Sequence, residues 1–187
     1  MNNKKEMTSR ERVLATFAHQ EPDRVPMWCG ASEEFWLKAK KATGLSDEEL
    51  FRRFVLPHLK SMIDLGHSYG LKVMMHCCDG FAQLIPSLIE VGLDGLHAVQ
   101  TSCSGMDLPT LKARFGDKIV FNGGIDSHHI LIKGDPDYAS HKTCEILKIM
   151  MPGGGYIGGA SHDTILEETP VENVLAMFDT IREYGVY

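Results

Sequence analysis

Between Pro57 and Tyr184 the sequence repeatedly alternates a helical pattern with a short apolar run, and this alternation constrains the fold more than any other feature. A helical stretch over about 58–68 leads to an apolar run at 71–76, and another over about 81–91, closed by Gly92, leads to 93–99. A third at 108–115, closed by Gly116, leads to 119–122; a fourth over about 136–151, ended by Pro152-Gly153, leads to 156–160. A last helical pattern covers about 170–184. Strands separated by helices run parallel and cross over with a right hand, so the spacing predicts an α/β chain built from βα units. In such sheets the loops that follow the strands gather at one end and form the ligand site. Here those loops carry His76-Cys77-Cys78-Asp79, Gln100-Thr101-Ser102, Asn122-Gly123-Gly124-Ile125-Asp126 and Ser161-His162-Asp163.

The first of these stretches, LKVMMHCCDG (71–80), concentrates the chemistry. Side chains alternate along a strand, so His76 and Cys78 point one way and Cys77 the other. Five cysteines is an odd number in a chain without a secretory leader pattern, which favours metal binding or plain burial over a disulfide framework. The net charge of −6 argues against a nucleic-acid partner. No apolar stretch approaches the ~20 residues that span a bilayer, and the opening MNNKKEMTSRER lacks the apolar centre of a signal peptide, so a cytosolic protein is expected.

Ahead of the repeating part, Thr8 with Glu11 forms a capping-box pattern before Val13, Leu14 and Phe17 at helical spacing. A rigid Pro-rich turn follows, then a candidate strand at 25–28. Ser32 caps a second helical pattern closed by Gly44, and Ser46 with Glu49 opens a third that ends near Phe54. One domain over 1–187 is expected, with a helical segment at 1–54 and the βα series at 55–187. Four clear strands, five with 25–28, are too few to close an eight-stranded barrel. Gly153-Gly154-Gly155 precedes a strand and so reads as a tight turn, not a phosphate loop. His128-His129 reads as surface, and the Met74-Met75 and Met150-Met151 pairs read as core.

With these residues in view, 56–187 resembles the C-terminal half of the uroporphyrinogen decarboxylase superfamily, in its branch of cobalamin-dependent methyltransferase-like proteins. The matching pieces are GLKVMMHCCDG, IPSLIEVGLDGLHAVQ, GMDLPTLKARFGDKIVFNGGID, PGGGYIGGASHD and TPVENVLAMFDTIREYG, in the family's order, and TSRERVLATFAHQEPDRVP resembles the family's start. The resemblance implies an eight-stranded (β/α) barrel, a fold of ~250 residues. Here the middle of that barrel is missing. The fold expected is therefore a partial TIM-type barrel of four to five parallel strands, with open edges covered by a homo-oligomeric contact or a partner chain.

In the methyltransferase branch a His-x-Cys at one strand end and a later third ligand hold zinc, and His76 and Cys78 match the first two positions. The third is commonly cysteine; Ser161-His162 stands there, which makes His162 the candidate, since imidazole is an ordinary zinc ligand. The function implied is transfer of a methyl group between a corrinoid protein and a small zinc-activated thiol. The corrinoid would be carried by a partner, because no DxHxxG pattern is present. Asp126 and Gln100 are candidate catalytic residues, through contacts with substrate or by orienting His76. One alternative is an inactive, truncated relative acting as a binding or assembly partner. Another is a decarboxylase, against which stands Trp28-Cys29-Gly30-Ala31-Ser32, with no arginine to bind substrate carboxylates.

Overall fold

The computed structural model describes residues 6–25, 33–78 and 80–187. Most of the candidate strand at 25–28, the Ser32 cap, Cys29 and Asp79 lie outside the described residues. The chain divides into two compact units, Met1–Leu45 and Ser46–Tyr187.

In the first unit α1 (Ser9–Phe17) opens on the capping box that the sequence predicts, Thr8 and Glu11 bonding reciprocally, and α2 (Glu33–Thr43) follows. Asp23 takes both ends of the Arg12 guanidinium fork, at 2.6 and 2.9 Å. That charge-assisted pair holds the Asp23 carboxyl well below the usual range.

The second unit begins with α3 (Asp47–Phe54), capped by Ser46 and Glu49, and α4 (Leu56–Ser68). The unit boundary falls ahead of α3, after Leu45, whereas the helical segment read from sequence runs to 54. The reason is physical: Leu50 is buried, and Arg52 reaches Glu90 at 3.1 Å. The βα series follows as β1 (Met74–His76), a 3₁₀ turn with α5 (Ile85–Glu90), β2 (Gly95–Val99), α6 (Leu108–Phe115) and β3 (Val120–Ile125). A wide turn at Ser127–Ile132, α7 (Pro136–Met150), β4 (Tyr156–Ala160) and α8 (Val171–Tyr184) complete it.

The four strands form one parallel sheet in the order β1-β2-β3-β4, an open segment of a TIM-type barrel. On its helix-covered face Leu96, Phe121 and Ile125 are buried with Leu88, Leu111, Phe115, Ile146 and Met150. Each large side chain fully removed from water there stabilises the fold by roughly 1.5–3 kcal/mol. The opposite face would be the interior of a closed barrel, filled in layers. In this open sheet it remains partly exposed: Met74 is 42% accessible and Ile157 46%. Met150 is core as its apolar helical position predicts, while Met74 is not, because among the described residues of this unit no layer covers its face of the sheet.

Asp94, just before β2, ties the start of β1 to α4. It accepts from Lys72 Nζ at 2.8 Å and from the Val73 N–H at 2.9 Å, and its Oδ2 lies 2.7 Å from His67 Nε2. β3 runs on through Gly123 and Gly124, longer than the sequence pattern suggests, and pairs with Gly158 and Gly159. The Tyr156 hydroxyl donates to the Gly123 carbonyl at 2.8 Å, and burial pushes that phenol's pKa up. Among the described residues no helix is long and apolar enough to cross a membrane.

Candidate metal centre

Parallel pairing sets two imidazoles side by side. His76 ends β1 and is in register with His97 in β2, and residues in register on neighbouring parallel strands point to the same face. Their Nδ1 atoms lie 3.0 Å apart, with the rings tilted by 50°. Both rings stand on the open inner face: 37% of the His76 side chain and 22% of the His97 side chain are accessible.

Two further donors reach this pair. Cys78, two residues beyond His76 and on the same side of the extended chain, brings Sγ to 3.3 Å from His76 Nε2. Asp163, from the loop after β4, brings Oδ1 to 3.9 Å from the Nδ1 of both histidines. That loop is anchored by Ser161, which is buried. Its N–H donates to the Ile125 carbonyl at 2.8 Å, and its Oγ accepts from the Ser127 N–H at 3.0 Å. The end of β1, the middle of β2 and the loop after β4 thus contribute to one cluster, and the end of β3 holds that loop through Ser161.

The other residues marked by sequence are placed as follows. His162 turns its Nδ1 toward its own loop, accepting from the Thr164 N–H at 3.3 Å, and its neighbour Asp163 is the residue that approaches the histidines. Asp126 is buried at the end of β3, where its Oδ1 accepts from the His128 N–H at 2.9 Å and the His129 N–H at 2.7 Å. The same oxygen lies 3.1 Å from His129 Nδ1. Burial alone would raise the Asp126 pKa; the hydrogen bonds from His129 and His128 outweigh it, and the net direction is down. The turn that Asp126 caps is wider than an α-helix, with Leu131 and Lys133 donating to carbonyls five residues back. Gln100 stands half-buried one residue beyond β2, its carbonyl accepting from the Cys103 N–H. Cys77 packs against the core from the other side of β1, as alternation predicts. His128 and His129 are exposed. None of the four described cysteines is disulfide-bonded.

His76, His97 and Asp163 can each offer one ligand atom, all within 4.8 Å of one another, and among the described residues no other three His, Cys, Asp or Glu side chains do so. His97 was not marked by sequence reasoning. The signal was a lone polar residue interrupting the apolar Leu96-His97-Ala98, and it acquires meaning only once the register with His76 is known.

Comparison with known proteins agrees with this fold. No curated protein matches the sequence. Among solved structures, a methyltransferase from Methanosarcina mazei superposes with a TM-score of 0.59 at 22% identity, over 76% of this chain and 39% of that one. The chain thus spans well under half the length of that structure, and the likeness is one of fold. The sequence model of the family named Uroporphyrinogen decarboxylase (URO-D) matches residues 37–184, which include every strand of the sheet and all four donors of the cluster. By that match the chain belongs to the uroporphyrinogen decarboxylase family.

Proposed function

We propose that this chain is a methyltransferase-like protein of that family, and that it moves a methyl group between a corrinoid carried by a partner protein and a small thiol activated at a zinc site centred on His76. The observation that supports this reading is the gathering of two imidazoles and a carboxylate, with a thiol beside them, toward the carboxyl side of parallel strands, where barrel enzymes work. The donor types suit zinc, which takes nitrogen, sulfur and oxygen ligands. Bound there, the ion would supply Lewis acidity that lets a thiol stand as thiolate near neutral pH.

The chain's own residues hold and orient. His76 is fixed by the β1–β2 ladder, and His97 packs against its ring edge. Asp163 brings negative charge toward both imidazoles, as carboxylates beside ligating histidines do. Gln100 offers a half-buried amide for hydrogen bonding to the thiol substrate, and Asp126 keeps the β3 loop in place beside the site. The corrinoid, when bound by its partner beside the site, would supply the methyl group and retain the electron pair of its carbon bond; the thiol would supply the sulfur lone pair that receives the methyl and would give its proton to solvent.

A second reading, an inactive binding or assembly partner, is favoured by the open sheet: among the described residues β1 and β4 each lack a neighbour on one side. A second copy of the chain or a partner supplying strands would cover those edges under either reading. Metal analysis and a methylcobalamin-to-thiol transfer assay separate the two. Methyl transfer with about one zinc per chain, both lost in His76→Ala, is the outcome expected of the first reading. A folded chain that holds no metal and transfers nothing overturns it in favour of the second. Mass measurement in solution reports whether the edges are covered by another copy.

A further inference from the structure

We infer that the metal sits on the Nδ1 edge of His76, held by His76, His97 and Asp163, and that Cys78 stays outside the coordination. This rests on the proposed reading that the chain binds metal at His76, and it departs from the His-x-Cys ligand pair that the sequence motif suggests.

An imidazole directs its two nitrogens toward opposite edges of a rigid ring, and one ion bonds only one of them. In this structure the two edges face different donors. Nε2 faces Cys78 Sγ at 3.3 Å, whereas Nδ1 faces His97 Nδ1 at 3.0 Å and Asp163 Oδ1 at 3.9 Å. An ion on the Nε2 edge therefore gains the thiolate and gives up His97 and Asp163; an ion on the Nδ1 edge does the reverse. A catalytic zinc site takes three protein ligands and leaves one position open. Among the described residues only the Nδ1 edge offers three.

The separations fit. Bonds of about 2.0–2.2 Å at a tetrahedral ion place nitrogen and oxygen donors about 3.3–3.6 Å apart. The nitrogen pair at 3.0 Å and the two nitrogen–oxygen distances of 3.9 Å lie on either side of that value. The two imidazoles come from register-paired strands and are fixed. The carboxylate, whose side chain is 62% accessible on a loop, is the member that can close the remaining half ångström or so. Two neutral imidazoles and one carboxylate leave a divalent ion with a net charge of +1, more electrophilic than it would be beside a thiolate. This nitrogen–oxygen set also admits other borderline divalent ions such as cobalt(II) and iron(II).

The test uses the full chain loaded with cobalt(II) as a spectroscopic probe and with zinc for affinity. Wild type is compared with Cys78→Ser, His97→Ala, His97→Gln and Asp163→Asn, each checked for folding by circular dichroism. Expected is a cobalt spectrum without a sulfur-to-metal charge-transfer band. Cys78→Ser should bind zinc within about threefold of wild type, while both His97 variants and Asp163→Asn weaken it more than ~100-fold, beyond the 10–100-fold typical when only a ligand's hydrogen-bond partner is lost. Cys78 in zinc-loaded wild type should react with iodoacetamide as fast as in the metal-free chain, read by peptide mass mapping, so the proposal stays testable if a variant misfolds. A sulfur charge-transfer band, zinc protection of Cys78, or tight binding that survives His97→Gln overturns the Nδ1 assignment while leaving a metal at His76. Wild type that binds no ion overturns the underlying reading as well.

Discussion

Replacing Asp126 separates a structural role from a catalytic one. The side chain is 6% exposed, and one carboxylate oxygen receives the N–H groups of His128 and His129 at 2.9 and 2.7 Å. Asp126→Ala leaves both N–H groups without that acceptor at the start of the wide turn. Loss of an N-cap costs about 0.5–2 kcal/mol, and an unmet buried donor about 1–3 kcal/mol. A loss of about 2–3 kcal/mol is therefore expected, or a fall in Tm of roughly 5–10 °C for a chain of this size. Asp126→Asn keeps an acceptor oxygen but no charge, and should lose about 1 kcal/mol. The pH dependence has a definite sign. The folded carboxyl has its pKa lowered, so its contribution is present above the unfolded value of about 3.9 and is lost as pH falls through the lower folded value. Wild type and Asp126→Asn should converge in that acid window. Urea unfolding at pH 7 and at several acid pH values measures both effects. An Ala variant within about 0.5 kcal/mol of wild type at pH 7 would refute the capping argument. Transfer activity lost in the Asn variant out of proportion to stability would instead give Asp126 a direct part in the chemistry.

Three further perturbations probe the supports of the cluster. Asp94→Asn removes the charge that meets Lys72 and His67 while keeping an acceptor for Val73 N–H, and should cost about 1 kcal/mol because the site is partly exposed and screened; the Asp94 pKa is depressed, so the difference should vanish as the carboxyl protonates in acid, read by thermal melts across pH. Gly123→Ala places a Cβ at φ +110°, 2.9 Å from Val99 N and 3.0 Å from Ala160 O, and should cost about 3 kcal/mol or more in urea unfolding, an unchanged midpoint refuting the close approach. Asn173→Ala removes the amide that donates to the Leu131 and Gly134 carbonyls at 2.8 and 2.9 Å, and should cost about 2–3 kcal/mol, with faster hydrogen exchange in α8 as the local readout.

What was legible in the sequence follows from how local each signal is. Capping boxes at Thr8 and Ser46 and the helix stops at Gly44 and Gly92 are decided within a few residues, and the structure has them at those positions. The βα order was readable because periodicity changes from helical to extended with each unit. Element limits were less so: β1 keeps only three paired residues of the six in its apolar run, and among the described residues its single neighbour in the sheet is β2. The exposure of Met74 was not legible, since an apolar residue in a strand gives no hint of whether the facing wall exists. In the cluster, His76 and Cys78 were visible as a local i, i+2 pair. His97 lies 21 residues from His76 and Asp163 comes from the last βα loop, so their approach depends on register and on the Ser161 anchor, both long-range facts.

The position of the cluster also ties its chemistry to the edge of the sheet. His76 is the last residue of an edge strand, and among the described residues β1 is held laterally by β2 alone, along Met74–Gly95, Met75–Leu96 and His76–His97. Further supports of β1 are the Asp94 clamp at its start, the packing of Met75 against the core, and the Cys77 N–H donating to the His97 carbonyl at 2.7 Å at its end. A ligand must be held to within about half an ångström for a site to be preorganised, so whatever pairs with the free side of β1 also stiffens His76. For the metal site we propose, edge pairing and metal affinity are then linked quantities: a chain that covers β1 should bind the ion more tightly, and by thermodynamic reciprocity the bound ion should favour the covered edge by the same factor.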